Sequence, residues 1–482
     1  MASTTNFIER TKQFWKWFSD NEGKLSELTQ ARGKDDGAAE AGSALVSEGV
    51  SLIADDIYFN IGGDHEFTFA VNANNALFFI YPYITANLPK QYRDKWKFFP
   101  CMQGTGGQNF GFRMHGADVE TDNVKVSATP SEDGKTVDLR FYAKEWETLE
   151  EQNCYGAFYT LFDLCVGEAL ACAFVNKVEK AQTVEDGMFA LTGLEQWIRD
   201  KFCEDGKDPN PADRHFVYEM EPQEDLELRR DVIIGGANCA PLLNDYLSGD
   251  DSCYQTFAKF GTKPVFLYFY YDFGTKERAE VLCERNALMD KLEEEVLGER
   301  GSGNEIGLML GGAMGVSRAY IDLLLYDEQL FMEKARKLLA DFPYMVLGKE
   351  FYPSGQEFLL TDHTMAGFKE RLSQLHEASA HKEIIKIIEA MPAENKDFTL
   401  INLYARALNN DDQEGKAVEV LESIREQGEN DALWNWRMGF ALYYLDREVD
   451  SIPYLERAIE LGDDNPETAA LLQEALTYLE DE

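Results

Sequence analysis

Near the C-terminus, small and apolar residues recur every 34 positions, and this period constrains the fold more than any other feature of the chain. The first copy has Ala405, Ala417, Leu421 and Ile424. The corresponding residues of the second copy, in the same order, are Gly439, Ser451, Leu455 and Ala458. A fainter earlier copy has Ile387 and Ala390. Such a period is typical of stacked helical hairpins, each of which buries only part of its apolar face alone. Because stacked hairpins leave a concave groove, the sequence predicts a binding module.

Three positions of the second copy resemble the tetratricopeptide repeat family. Gly439 matches the glycine where the two helices cross, Ser451 the small residue twelve positions later, and Ala458 the alanine seven beyond that. Trp434 and Trp436 flank the family's tryptophan position and do not occupy it. The resemblance implies three repeats and a closing helix, at about 364–397, 398–431, 432–465 and 466–479. An ordinary helical bundle with accidental spacing is the alternative.

The same resemblance implies which side chains line the groove, since the first helix of each hairpin faces inward in such stacks. The candidates for partner contact are Asn402, Arg406, Asn435 and Phe440. For the polar ones, an ordinary solvated helix surface is the other interpretation.

The chain of 482 residues is too long for a single hydrophobic core and indicates roughly three domains. We expect an N-terminal α+β domain over 1–185, a second α+β domain over 186–355 and the helical repeats over 364–482, with a linker at Pro353-Ser354-Gly355.

In the first of these regions, Phe7, Phe14, Trp15 and Phe18 recur at helical spacing and predict an amphipathic helix over 7–30. The further predicted elements are a helix over 38–54, strands over 56–63, 66–73, 95–102, 125–130 and 136–146, and a long apolar helix over 155–178. Tight turns at Gly62-Gly63 and Asp133-Gly134 favour a mainly antiparallel sheet.

The second region reads as β-α-β-β-α-β between residues 264 and 352, an order that fits a ferredoxin-like layer. Gly311, Gly312 and Gly315 favour instead a bend or break in its second strand.

The N-terminal 350 residues or so also resemble an uncharacterised group of bacterial proteins. The matching stretches are 14–22, 163–170 and 306–327. The resemblance implies an accessory or immunity-type role and brings no catalytic residue with it.

The net charge of −41 opposes binding to nucleic acid and to anionic lipid, and it favours basic partners. General acidity of a cytosolic protein is the simpler interpretation. Because no secretion signal or long apolar run occurs, we expect a soluble cytoplasmic protein without contact to a membrane.

Motifs for metals and cofactors are weak. The eight cysteines form no CxxC pair, and His376 and His381 have no cysteine near them, so neither metal nor cofactor is expected. The glycine-rich stretch 104–111 lacks the Gly-Lys-Ser/Thr ending of a phosphate loop and is interpreted as a flexible connector.

Four carboxylates lie in apolar segments, where an unpaired charge is costly. Asp163 and Glu168 are interpreted as structural, paired with Arg113 or Arg140. Asp322 is expected to pair with Arg318, and Asp327 to cap the next helix. An acid/base role is the alternative for each pair.

The sequence thus favours a non-enzymatic scaffold that binds a protein or peptide through its C-terminal repeats, with a basic partner electrostatically favoured. One alternative is an immunity or inhibitor protein that neutralises a basic toxin domain. Another is an enzyme of unknown type in the α+β region, for which no catalytic residue is nominated, since no known catalytic motif occurs.

Overall fold

The computed structural model describes residues 5–31, 36–62, 65–132, 134–203, 206–223, 227–271, 278–342, 344–361, 369, 372–373, 375–377, 379–389 and 396–480. The predicted turns at Gly62-Gly63 and Asp133-Gly134, and the faint repeat position Ala390, involve residues outside this part.

The protein is a mixed α+β structure with mainly antiparallel sheets in its N-terminal part and helices at its C-terminus. This coarse division agrees with the sequence-based prediction. The chain divides into two compact units, the first made of 1–266, 277–334 and 351–353 and the second of 267–276, 335–350 and 354–482. Most of the two predicted α+β domains therefore lies in one unit.

The helices that begin in the first unit are α1 Phe7–Ala31, α2 Asp36–Val50, α3 Tyr81–Ala86, α4 Glu151–Val166, α5 Glu168–Phe174, α6 Leu194–Phe202, α7 Ala240–Ser248, α8 Ser252–Lys259, α9 Arg278–Lys291 and α10 Glu328–Leu338. A π-helix, Leu292–Leu297, directly follows α9.

The strands that begin in this unit are β1 Phe59–Ile61, β2 Glu66–Phe69, β3 Lys97–Phe99, β4 Gly111–Met114, β5 Ala117–Glu120, β6 Lys125–Pro130, β7 Val137–Tyr142, β8 Val175–Lys180, β9 Phe189–Ala190, β10 Phe216–Glu219, β11 Val232–Ala237, β12 Lys263–Tyr270, β13 Gly307–Gly315 and β14 Arg318–Leu325. Their orders are β1-β2-β3, β4-β5, β8-β7-β6-β9 and β10-β11-β13-β14-β12. The pairs β2–β3 and β7–β8 are parallel, and the other described registers are antiparallel.

Helix α1 forms where the aromatic spacing predicts it. Phe7, Phe14, Trp15 and Phe18 are all buried on one face. The Trp15 indole N–H donates to the Ile84 carbonyl at 3.0 Å, so its buried polar atom is satisfied. The aromatic side chains predicted to form an apolar stripe therefore build part of the core.

The segment 155–178, predicted as one helix, is two helices followed by a strand. Gly167 separates α4 from α5 with a φ of 86°, a conformation that residues with a Cβ rarely adopt. A Cβ at Gly167 would also lie 2.7 Å from the Gly104 nitrogen. The apolar run does pack on a sheet as expected, since Phe158 of α4 stacks on Phe141 of β7 with ring centroids 4.1 Å apart.

The elements from β12 to the strand at Leu347–Glu350 follow one another in the predicted β-α-β-β-α-β order. Strand β13 bends as its glycines indicate, because its register with β14 shifts between Met309 and Gly311, where φ is 133°. A Cβ at Gly311 would lie 2.1 Å from the Gly236 carbonyl oxygen, so this position requires glycine.

The second unit contains the end of β12, β15 Leu347–Glu350, β16 Glu357–Leu359, α11 His381–Glu389, α12 Phe398–Asn409, α13 Glu414–Glu422, α14 Arg425–Gly428, α15 Ala432–Tyr443, α16 Glu448–Glu460 and α17 Pro466–Glu480. Strands β15 and β16 pair antiparallel. Helix α12 packs against α11 and α13, α13 against α14, and α16 against α15 and α17, while α15 also contacts α12, α13 and α17.

The 34-residue period is visible in the backbone as well as in the core. Asp397 and Asp431 cap α12 and α15 through side-chain hydrogen bonds to the amides of Leu400 and Trp434. Asp412 and Asp446 occupy the turns that follow these helices, each with a φ of 55°. Caps and turns thus repeat at the same phase as the small residues.

All eight recurring small and apolar positions are buried. Gly439 shows why a small residue is needed, since a Cβ there would lie 2.7 Å from Leu455 Cδ2. The fully buried Leu455 side chain has little room to move away.

We expect Gly439→Ala to lower the free energy of unfolding by about 1–3 kcal/mol through overpacking. The same change at Gly415, where nothing lies within 4 Å of the added Cβ, should leave stability unchanged or raise it by up to about 1 kcal/mol. Chemical denaturation of both variants measures the contrast. Equal effects would show that the close approach at Gly439 does not constrain the helix pair.

Candidate functional site

Helices α12 and α15 carry different side chains at two pairs of equivalent positions of the repeat. Asn402 and Arg406 of α12 correspond, 34 residues on, to Trp436 and Phe440 of α15. In each helix the two positions are four residues apart and therefore share a face. The buried positions of the repeat keep their character, whereas these change from polar to aromatic.

Arg437 joins the two helices at a buried polar junction. Its guanidinium Nη1 donates to Asn402 Oδ1 at 2.7 Å, and the Asn409 Nδ2 donates to the Arg437 carbonyl at 3.0 Å. The Arg437 side chain is almost entirely removed from solvent, with 8 % of its residue surface exposed. Asn409 Oδ1 is buried without a hydrogen-bond partner within the described residues.

Three more basic or titratable side chains complete a cation cluster, defined as His376, His381, Arg406 and Arg437. The rings of His376 and His381 lie 4.8 Å apart between centroids. Their Nδ1 atoms are buried and, among the residues described, have no hydrogen-bond partner.

Electrostatics within the cation cluster disfavours positive charge. Burial, followed by the neighbouring Arg406, His381 and Arg437, lowers the pKa of His376 to about 4. Burial and then Arg406 lower the pKa of Arg437 to about 10. Partial burial of the guanidinium also lowers the pKa of Arg406, although the residue as a whole is exposed. A bound anion would favour the charged form of each group and would therefore raise all three pKa values.

Among the residues that the structure describes, no carboxylate lies close enough to pair with the cation cluster. Glu377 and Asp431 act on Arg406 and Arg437 respectively. Neither carboxylate is within the 4.0 Å of an ion pair, nor is any other in the described part of the chain. A buried guanidinium without a paired anion is costly. The arrangement can therefore accept a carboxylate or another anionic group.

Beside the cation cluster, α15 presents an aromatic stripe, defined as Trp436, Phe440 and Tyr444. The ring centroids of Trp436 and Phe440 are 5.5 Å apart, and those of Phe440 and Tyr444 are 4.6 Å apart. Tyr444 is 54 % exposed, and Leu433, one turn before Trp436, is 53 % exposed. Partly exposed aromatic side chains in contact offer a large apolar surface to a partner.

The four residues predicted for partner contact have different environments. Arg406 is exposed and Phe440 half-buried, and they belong to the cation cluster and the aromatic stripe. Asn402 is buried as the acceptor for Arg437. Asn435 is buried too, and its Nδ2 donates to the carbonyls of the turn before α15, with Asp431 O at 2.9 Å.

Sequence reasoning missed Arg437 and the two histidines as members of a site. Arg437 is the lone cation inside the apolar run 434–444, a signal that could have identified it. The histidines were considered for metal binding alone. Their proximity to Arg406 depends on the packing of separate helices, so no local pattern encodes it.

In the first unit, Glu168 is a structural carboxylate. It accepts hydrogen bonds from the backbone amides of Val71 at 3.0 Å, Asn72 at 2.7 Å and Met102 at 2.9 Å. These three donors satisfy a buried charge. No side-chain cation is needed to hold it.

The prediction that Arg113 or Arg140 pairs with Glu168 is wrong. Arg113 lies 3.7 Å from Asp118, and Arg140 lies 3.0 Å from Glu185. At Asp163, burial, and then the Glu168 charge, raise the pKa to about 6.

The glycine-rich stretch 104–111 is held by one of the protein's own carboxylates. The Gly106 amide donates to Glu195 Oε2 at 3.0 Å, and the Thr105 amide donates to the Leu164 carbonyl at 3.1 Å. Glu195 in turn is 2.9 Å from Arg199. The stretch connects β3 to β4, and its Gly106 amide already has an anionic acceptor.

Asp322 belongs to a buried ion-pair network. Its partner is Arg229, with 2.7 Å between Oδ2 and Nη2, and both side chains are buried. The predicted partner, Arg318, lies instead 3.4 Å from Asp231, which also accepts a hydrogen bond from the Tyr320 hydroxyl. Tertiary packing thus pairs Asp322 with Arg229 and places the predicted partner, Arg318, beside Asp231 instead.

The guanidinium of Arg229 is also enclosed by rings, 4.7 Å from the Phe351 centroid and 5.2 Å from that of Phe266. This is the environment of a structural charge pair. Asp327 behaves as predicted, since its Oδ1 accepts from the Leu330 amide and caps α10.

Among the residues described, no cluster of three His, Cys, Asp or Glu side chains could hold a metal ion. In that same part of the chain, no helix combines the length and the hydrophobicity needed to span a bilayer. No protein-family model, curated protein or solved structure matches this chain.

We expect Arg229→Met to lower the free energy of unfolding by about 3–5 kcal/mol, because it leaves the Asp322 carboxylate buried without a counter-ion. The double variant Arg229→Met/Asp322→Leu should recover most of this loss. Urea denaturation of the two variants measures their free energies of unfolding. A double variant no more stable than the single one would contradict the pairing.

We expect an NMR titration of the intact chain to give His376 a pKa of about 4, and Arg406→Gln to raise it. The folded pKa is below the unfolded value of about 6.5. The neutral ring is therefore favoured in the fold, and its contribution to stability is complete above pH 6.5 and lost as the pH falls towards 4. Arg457→Gln, which removes an arginine of α16 that pairs with Glu460, is the control and should leave the His376 titration unchanged.

Proposed function

We propose that the C-terminal helices are tetratricopeptide-like repeats that bind a protein or peptide partner through the cation cluster and the aromatic stripe. The observation that carries this proposal is Arg437, a buried guanidinium near the Arg406 guanidinium and without a carboxylate counter-ion in the described residues. A bound acidic group would supply the missing charge.

The repeat interpretation is supported by the recurrence of four kinds of feature at one period: buried small residues, aspartate caps, left-handed aspartate turns and nearest-neighbour helix packing. A chance bundle would not place Asp397 and Asp412 in the same local structures as Asp431 and Asp446. Repeat proteins of this kind bind along an extended surface.

The partner's chemistry follows from the two parts of the surface. A carboxylate suits the cation cluster, since guanidinium groups bind carboxylates through charge-assisted hydrogen bonds. An apolar or aromatic side chain beside it suits the aromatic stripe. The favoured partner segment therefore combines an acidic group with a neighbouring apolar residue.

The net charge of −41 opposes an acidic partner at long range, which argues for a basic one. That repulsion is screened beyond about 8 Å at physiological ionic strength. Within the binding face the local cations dominate, because they are partly desolvated and contact the ligand directly. The acidic surface then excludes unspecific anions, and the cation cluster selects those that also fit the aromatic stripe.

The test compares full-length wild type with Arg406→Glu and with Phe440→Ala in partner capture from extracts of the source organism, followed by affinity measurement on the partners found. Removing either contact should lower the affinity at least tenfold, about 1.4 kcal/mol or more. Circular dichroism checks that both variants fold, since Arg406 is exposed and Phe440 is half-buried.

Two variants on α16 are the controls, Arg457→Glu for the charge reversal and Ile459→Ala for the apolar truncation; Arg457 is partly buried and Ile459 is exposed. They should bind as the wild type does. Identical partners and affinities for Arg406→Glu, Phe440→Ala and the controls would overturn the proposed function.

A further inference from the structure

The first unit contains a cavity of about 80 Å³, the Arg214 cavity, where α5, β10 and the start of α7 meet the 3-10 helix Asn75–Phe79. Its lining includes Asn75, Phe79, Cys172, Arg214, Phe216 and Asn238. Phe79 is 4 % exposed and belongs to the buried wall, whereas Phe216 is 37 % exposed and Asn75 is exposed as well. The cavity therefore opens to solvent.

The size of the Arg214 cavity limits what it can hold. One water molecule needs roughly 10–15 Å³ of such space, so the cavity has room for a compact molecule of about five to eight non-hydrogen atoms. A nucleotide is too large for it. A short organic acid or amide fits.

Arg214 brings an uncompensated positive charge to the cavity. Its guanidinium carbon is 4.7 Å from the centroid of the Phe216 ring, so both side chains border the same space. Within the described ranges, this guanidinium makes neither a hydrogen bond nor an ion pair. The adjacent carboxylate, Asp213, is paired elsewhere, since its Oδ1 lies 2.7 Å from Arg300 Nη1. The donors of Arg214 are thus left for solvent or a ligand.

The other walls of the cavity are apolar or neutral. Phe79, Pro211 and Phe216 supply apolar surface. Among the lining residues that the structure describes, Arg214 is the charged one. Burial raises the pKa of the Cys172 thiol to about 11, against the influence of the Arg214 charge, so this thiol is neutral at physiological pH. One cation therefore faces a small apolar chamber.

Hydrogen bonds hold the segment that carries Arg214 in place. The Nδ2 of Asn238 donates to the Ala212 carbonyl at 3.2 Å, and its Oδ1 lies 3.2 Å from His215 Nδ1. The Ala212 amide donates to the Asn210 side chain at 3.1 Å. These contacts fix the segment before β10 against the end of β11. The cavity is thus formed before a ligand arrives.

We propose that the Arg214 cavity is a binding site for a small aliphatic carboxylate. The carboxylate accepts hydrogen bonds from the Arg214 guanidinium, whose planar fork can bind both oxygens at once. The short apolar body packs against Phe79 and Phe216, which removes apolar surface from water. Neither contact belongs to the C-terminal binding surface, so this site is independent of the proposed function.

The chemistry of the cavity favours a carboxylate over phosphate. One guanidinium satisfies a carboxylate through a bidentate contact, whereas a phosphate dianion has more oxygens than that single group can bind. Phosphate also has no apolar surface to place against Phe79 and Phe216. The apolar walls thus select an anion that carries a hydrocarbon part.

The experiment titrates the full-length wild type with isobutyrate and with isobutyramide, an uncharged molecule of the same shape, and measures binding by saturation-transfer NMR. We expect isobutyrate to bind at least about tenfold more tightly, because it alone forms a charge-assisted contact with Arg214. Equal affinities, or no binding of isobutyrate, would overturn the proposal. Displacement of isobutyrate by a lower concentration of inorganic phosphate would overturn it too.

Two variants locate the bound carboxylate. Arg214→Gln should weaken isobutyrate binding at least about tenfold and leave isobutyramide binding unchanged, whereas Phe216→Ala should weaken the binding of both. The controls are Arg113→Gln, whose side chain is 72 % exposed, and Val217→Ala, on the opposite face of β10 from Phe216. Both controls should bind as the wild type does.

Circular dichroism checks that the variants fold, and the comparison of the two ligands on the wild type decides the proposal even if Arg214→Gln does not. Wild-type affinity of folded Arg214→Gln for isobutyrate would show that the carboxylate binds elsewhere and would contradict the assignment.

Discussion

The guanidinium of Arg437 is withdrawn from water and has an amide oxygen, that of Asn402, as its hydrogen-bond acceptor. Burying a cation in this way costs free energy unless an anion is nearby. In the first unit the same problem is solved internally, because Arg229 has the Asp322 carboxylate at 2.7 Å. The second unit leaves it unsolved within the described residues and adds Arg406 to the same region. Because Arg229 is paired with a carboxylate, it is a structural residue. Arg437 has no such partner in the described residues and is therefore a candidate for ligand binding.

The repeat explains how such a site can form without loss of the fold. Capping aspartates and small residues at the helix crossings recur because they set the spacing and angle of the helices. Two other pairs of equivalent positions do not keep their character from one copy to the next. Asn402 and Arg406 in one copy stand where Trp436 and Phe440 stand in the next. A regular framework thereby juxtaposes cationic and aromatic surfaces.

The first unit uses carboxylates to order its own backbone. Glu168 binds three amides from two other segments, and Glu195 binds the glycine-rich stretch at Gly106. Part of the acidity of this chain is thus structural, since each carboxylate satisfies donors that would otherwise be buried without acceptors. The glycine-rich stretch resembles an anion-binding loop in composition. The anion that it binds is internal, because its Gly106 amide donates to the Glu195 carboxylate.

The sequence by itself determined the features that depend on local spacing: helix α1, the period of the C-terminal helices, the cap at Asp327 and the mixed α+β character. It could not determine where the apolar segment 155–178 divides, since the break at Gly167 reflects the close approach of the Gly104 backbone. Nor could it choose between Arg318 and Arg229 as the partner of Asp322. Only the tertiary structure decided the break at Gly167, the partner of Asp322 and the proximity of His376, Arg406 and Arg437. Charge pairing and desolvation depend on distances between segments that are remote in the chain.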